Sequence, residues 1–75
     1  MVYYFLGWIH RQLNEDSFEV STDWSGKDEI IKCYLSRKLF RENIRPLVGD
    51  RILIEYNSGL RRIERRRFYI IKVVY

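Results

Sequence analysis

The chain contains no alanine and only one cysteine, one histidine, one proline and one methionine among 75 residues. A lone Cys33 cannot close an internal disulfide, which excludes the cross-linked frameworks of small secreted scaffolds. Cys33 and His10 together are too few to close a zinc site, so neither a metal nor any other cofactor is expected. Long apolar runs are also missing. Met1 to Ile9 is too short to span a bilayer and lacks the basic segment and cleavage site of a signal peptide. The run from Phe68 to Tyr75 is interrupted by Lys72 and has the length of a strand, so no membrane association is expected. Alanine codons are GC-rich, and their total absence is the bias of an AT-rich genome such as an organelle's.

What is present suits a small barrel. Hydrophobic residues make up 47% of the chain, too many for a disordered tail. The twelve aromatic residues supply the buried area that so small a core needs. Charge is polarised along the sequence. Residues 1–35 carry three basic and six acidic side chains, whereas residues 36–75 carry eleven basic and four acidic. A polyanionic partner is the simplest reason for such a split.

Periodicity predicts short strands. From Tyr3 to Leu13, β-branched and aromatic residues are enriched, with Tyr3, Phe5, Ile9 and Leu13 on one parity and Gly7 placed to relieve a bend. Asn14-Glu15-Asp16 reads as a hairpin tip. Phe18 and Val20 then face the core, with Ser17, Glu19 and Ser21 opposite. After a loop around Trp24, Ile31, Cys33 and Leu35 alternate with Ile30, Lys32 and Tyr34. Ser36 is a suitable cap for one or two helical turns beginning at Arg37, and Pro46 ends what began there. Val48-Gly49-Asp50 turns the chain into Arg51–Tyr56, with Ile52, Ile54 and Tyr56 inward. Asn57-Ser58-Gly59 reads as a turn, and an extended segment closes the chain. Three strands, a short helix and two strands define a single all-β domain over residues 1–75, a five-stranded Greek-key OB-fold barrel with its helix between strands three and four.

Three constellations bear on function. In Ser36–Arg45, Arg37 and Arg41 are four residues apart and Lys38 lies three before Arg41, with Arg45 just beyond. Such a cluster suits phosphate oxygens, which guanidinium forks grip in pairs; the plain alternative is a solvated helix face. In Arg61–Arg67, five arginines and one glutamate repel one another unless a polyanion relieves them, or else they form a basic solubilising loop. Tyr34 falls on the outward parity beside Lys32, where a ring can stack a nucleobase. Trp8 and Trp24 are ambiguous between stacking and capping. Catalytic combinations are poor. His10 is the only side chain that ordinarily titrates near neutrality, Cys33 has core parity, and Ser36 is better explained as a cap, so no enzyme is expected.

The run Leu35-Ser36-Arg37-Lys38-Leu39-Phe40-Arg41-Glu42-Asn43-Ile44-Arg45-Pro46-Leu47-Val48-Gly49-Asp50-Arg51-Ile52 resembles the signature of translation initiation factor one, I-S-G-K/R-M/I-R-x-x-x-I-R-I-L-x-G-D-x-V. Gly7-Trp8-Ile9, Leu13 and Phe18-Glu19-Val20 resemble that family's upstream positions, so the similarity covers residues 5–56. The chain departs from the pattern at Arg37, Phe40 and Pro46, where the family has glycine, arginine and isoleucine. Its final G-R-I-x-x-R is matched either by Arg61–Arg66, or by a last strand over Arg67–Lys72 behind a longer basic loop; residues 66–75 are then an extended strand or an extension. The resemblance implies a divergent, S1-like, monomeric RNA-binding protein. It would sit on ribosomal RNA and a neighbouring ribosomal protein in the decoding region of the small subunit, together with initiation factors two and three. By the motif, Lys38 and Arg45 carry over as RNA contacts, Tyr34 matches a position often held by histidine, and Arg41 matches a basic one. Arg62 and Arg66 match only under the first alignment. Adding Lys32 and Arg37 from the charge pattern, the expected RNA-binding set is Lys32, Tyr34, Arg37, Lys38, Arg41, Arg45, Arg62 and Arg66. The compartment implied is a bacterial cytoplasm or a plastid stroma. The competing expectations are a generic cold-shock or S1-type RNA binder, and a barrel that docks on an acidic protein.

Overall fold

The computed structural model of the chain describes residues 1–23, 26–57 and 68–74. Five strands and one helix follow the predicted order: β1 (Val2–Gln12), β2 (Ser17–Thr22), β3 (Glu29–Leu35), α1 (Arg37–Arg41), β4 (Arg51–Asn57) and β5 (Phe68–Val74). The sheet closes into a barrel in the order β1-β2-β3-β5-β4, with β4 returning to β1. All pairings are antiparallel except β3 with β5. This closed five-stranded barrel, with its short helix between β3 and β4, is the expected architecture.

The interior comes from alternate residues of every strand, as a pleat of period two requires. Phe18, Val20, Cys33, Ile52, Ile54 and Ile70 are completely buried. Burying such side chains contributes about 1.5–3 kcal/mol each, the bulk of what a domain this small has available. Leu39 of α1 plugs one end of this core, and Phe5, Ile31, Ile44 and Phe68 pack against it from the rim.

Barrel closure depends on β1 belonging to both halves of the sheet. Residues Val2 to Trp8 pair with β4, and residues Trp8 to Gln12 pair with β2. Gly7 lies where the strand must approach its neighbours most closely. A Cβ at this position would stand 2.6 Å from Val20 Cγ1, 2.9 Å from Ile54 Cδ1 and 3.1 Å from the Ser21 carbonyl oxygen. The crowding that Gly7 is expected to relieve is therefore present.

Three residues differ from the alternation pattern. Leu13, expected inward, is exposed, because a register shift between Ile9 and Arg11 reverses the parity of the last residues of β1. Beyond the shift Arg11 stands outward opposite Glu19, and its Nε donates to Glu19 Oε1 at 2.9 Å. Tyr3 has the inward parity but lies at the open end of the barrel, stacked on Tyr56 and half exposed. Ser17, expected outward, is fully buried. Apart from the alternation, Asn57 belongs to β4 instead of a turn.

Candidate nucleic-acid interface

The element between β3 and β4 is held by side-chain and backbone chemistry written in its own sequence. Ser36 Oγ accepts the Leu39 amide at 3.3 Å, satisfying one of the donors left over at a helix start. At the other end Asn43 enters the left-handed region (φ 57°). The Asn43 amide then reaches the Phe40 carbonyl, and the Ile44 amide the Leu39 carbonyl, a Schellman closure. Ile44 packs back onto the core, completing the hydrophobic contact that accompanies this closure. The chain continues through a turn in which Asp50 donates its amide to the Leu47 carbonyl, with Gly49 at φ 90°. The Asp50 carboxylate accepts the Leu47 amide, and Gly49 and Asp50 are bonded to Ile9 of β1. A five-residue helix is thus clamped at both ends, so the backbone that carries its cations is held in place.

Those cations divide into two groups. Arg37 and Arg41 line one side of a cleft of about 240 Å³ together with Phe40 and Leu35, facing Asp16 at the β1–β2 hairpin tip. The tip itself is braced. Asn14 Oδ1 accepts the Asp16 amide, and the Asp16 carbonyl accepts the Leu35 amide at 2.7 Å. Lys38 is exposed but does not line the cleft, so the three helix cations expected on one surface are split. Two departures from the initiation-factor pattern, Arg37 and Phe40, both fall in this cleft.

Arg45 has a different task. It is half-buried, its guanidinium carbon lies 4.4 Å above the centre of the Phe40 ring, and its Nη1 donates to the carbonyls of Phe40 and Ile44. It therefore adds hydrogen bonds to a carbonyl of the last helical turn and to one just beyond it, while covering an otherwise solvent-facing aromatic ring. Lys32 and Tyr34 stand outward on β3 as expected, with Lys32 Nζ 5.2 Å from the Tyr34 ring centre. Arg62 and Arg66, and the loop residue Trp24, lie outside the described residues. Trp8 is exposed with the Arg51 guanidinium over its ring.

One aromatic was missed. Tyr69 of β5 pairs in register with Tyr34, and the two rings stand 6.4 Å apart at 47°. The only signal was the outward parity of a tyrosine flanked by Phe68 and Ile70; its neighbour follows from the parallel β3–β5 pairing, which no local pattern announces.

Catalytic groups are not gathered anywhere in this region. His10 is exposed on β1, Ser36 Oγ is engaged as a cap, and burial pushes the Cys33 thiol up to about 12. Among the described residues no cluster of His, Cys, Asp and Glu is suited to a metal ion, and no helix is long and apolar enough to cross a membrane. Comparison with protein-family models and with characterised proteins gives no match for this chain.

Proposed function

We propose that this protein is an RNA-binding barrel of the initiation factor one kind. It occupies the decoding region of the small ribosomal subunit during initiation, alongside initiation factors two and three. The observation that carries the reading is the rigid, doubly capped helix that holds exposed Arg37, Lys38 and Arg41 immediately after the Lys32–Tyr34 strand. A backbone ordered in this way presents the cations to phosphate without the cost of ordering the chain that carries them, and the tyrosine beside them offers a base a stacking surface. The mechanism is occupancy of an RNA surface, with no covalent step and no cofactor. A soluble compartment, bacterial cytoplasm or plastid stroma, belongs to the same proposal.

A second reading, a generic single-stranded RNA binder, is favoured by the neighbouring rings of Tyr34 and Tyr69, which need only an unpaired base. Binding of isolated small subunits at two salt concentrations, with an A-site ligand and free single-stranded RNA as competitors, separates the two. The initiation-factor reading expects steep salt dependence and selective displacement by the A-site ligand. Equal displacement by free RNA refutes it. The Lys38→Ala, Arg41→Ala double variant should lose subunit affinity by about tenfold or more with an unchanged melting temperature, since each phosphate contact removed weakens the electrostatic term. Unchanged affinity would return this helix face to solvent.

A further inference from the structure

On the outer surface of the barrel, four side chains fall in one register row across four strands. Tyr34 of β3 pairs with Tyr69 of β5, Tyr69 with Glu55 of β4, and Glu55 with Tyr4 of β1. Their parity is outward on β3, β4 and β5, because the flanking Cys33, Leu35, Ile54, Tyr56 and Ile70 are buried, while on β1 the neighbouring Phe5 packs against the core. Tyr4 is exposed, and Tyr34, Tyr69 and Glu55 are half-buried. Directly opposite residues on paired strands hold their Cβ atoms about 4.5–5.5 Å apart, so Glu55 stands in the row between Tyr69 and Tyr4.

The carboxylate is the odd member. It sits in the strongly basic half of the sequence, yet among the described residues no cation pairs with it and no hydrogen bond reaches it. A carboxylate beside stacking rings repels phosphate but accepts hydrogen bonds from the edge of a base. The four bases differ in what they offer. Guanine presents two adjacent donors, N1–H and the N2 amino group, which match the two oxygens of one carboxylate. Adenine and cytosine offer a single amino group. Uracil offers one N–H between two carbonyls, which a carboxylate repels.

We infer that Tyr69 and Glu55 form a base-recognition site that stacks an unpaired guanine and reads its N1–H and N2 amino edge. The site rests on the RNA-binding reading above and gives it a base preference that phosphate contacts cannot supply. Tyr69 supplies the stacking platform, with Tyr34 at its side and Lys32 close enough to Tyr34 to meet the adjoining phosphate. Glu55 supplies the discrimination.

Fluorescence anisotropy with labelled uridine octamers carrying one central guanosine, inosine, adenosine or cytidine tests the site on the intact chain. The guanosine octamer should bind at least about fivefold more tightly than plain octauridine, the size of a good paired hydrogen-bond contact. Inosine, which keeps N1–H but lacks the amino group, should fall between them. Glu55→Gln should abolish the guanosine advantage, while octauridine, relieved of the carboxylate's repulsion, should bind at least as tightly as to the parent. Tyr69→Leu should weaken every octamer by about fivefold or more, with Tyr69→Phe retaining affinity and controlling for any loss of fold. A guanosine preference that survives Glu55→Gln, no preference at all, or full affinity in Tyr69→Leu overturns the site. If the octamers still bind in a manner dependent on Lys38 and Arg41, the RNA-binding reading stands without it. If no octamer binds, the site falls, and the RNA-binding reading is decided by the small-subunit binding assay.

Discussion

Replacing Gly7 by alanine adds a single methyl group at the point where β1 passes from one half of the barrel to the other. That methyl would overlap Val20 Cγ1 at 2.6 Å and crowd Ile54 Cδ1 at 2.9 Å and the Ser21 carbonyl at 3.1 Å. Val20 and Ile54 are both completely buried, and Val20, branched at Cβ, has little rotamer freedom with which to retreat. Ile54 can swing its terminal methyl, but the Ser21 oxygen is backbone and moves only with β2. Overpacking of this kind costs about 1–3 kcal/mol. Part of the cost is offset because alanine restricts the unfolded chain, a gain of about 0.4–1 kcal/mol where the backbone conformation suits it. The net loss is then about 1–2 kcal/mol, which for a domain of this size lowers the thermal midpoint by roughly 5–15 °C.

Thermal and urea melts of Gly7→Ala against the parent measure this directly. A second arm assigns the cause. Combining Gly7→Ala with Val20→Ala removes the closest overlap, so the double variant should lose less stability than the two single losses added, by about 1 kcal/mol, as expected for residues in contact. A Gly7→Ala midpoint equal to or above the parent's would refute the reasoning. So would strict additivity in the double variant, which would mean that the strand relaxes away from Val20 altogether.

Two further expectations follow from the core and the helix end. Cys33 should resist thiol reagents in the folded protein and react fully on unfolding; since its folded pKa is raised above the ordinary value of 9.0 to about 12, its contribution to stability is complete below pH 9 and lost as the pH rises towards 12. The Cys33→Val variant, having nothing to titrate there, should therefore show a flatter fall in melting temperature over that alkaline range, and an identical fall in both proteins would refute the assignment. Arg45→Ala should lower the melting temperature by several degrees, at about 1–2 kcal/mol for the helix-end hydrogen bonds and ring contact together, whereas Lys38→Ala should not. Equal melting temperatures for these two variants would show that the Arg45 contacts contribute nothing.

Much of the barrel was legible because its strands keep strict alternation. Ile52, Ile54 and Tyr56 read inward from β4 alone, as did Phe18 and Val20 from β2, and each is buried. Ser36 marked the start of the helix because capping acts over three residues, whereas its end is set by the left-handed Asn43, ahead of Pro46. Leu13 went wrong because one register shift upstream reverses the faces of everything after it, and a shift leaves no mark on composition. Ser17 was misplaced for a related reason. It begins β2 beside the hairpin tip, where its carbonyl accepts the amides of Leu13 and Asn14 and the surrounding chain covers it.

The candidate interface was legible only where its residues are neighbours in sequence. Arg37 and Arg41 announce each other by their spacing, but the cleft they line has Asp16 for its opposite wall, more than twenty positions away. Arg45 read as one more phosphate-binding cation, and nothing short of the fold could show its guanidinium bonded to the carbonyls of its own helix end. Glu55 carried no signal at all, being an ordinary outward residue on a strand that alternates well. Its meaning arises from the barrel order, which sets β5 between β3 and β4 and so brings Tyr34, Tyr69, Glu55 and Tyr4 into one row. On the RNA-binding reading proposed above, the polarisation of charge supplies phosphate contacts, while any choice among bases depends on a minority acidic residue that closure of the barrel sets among rings.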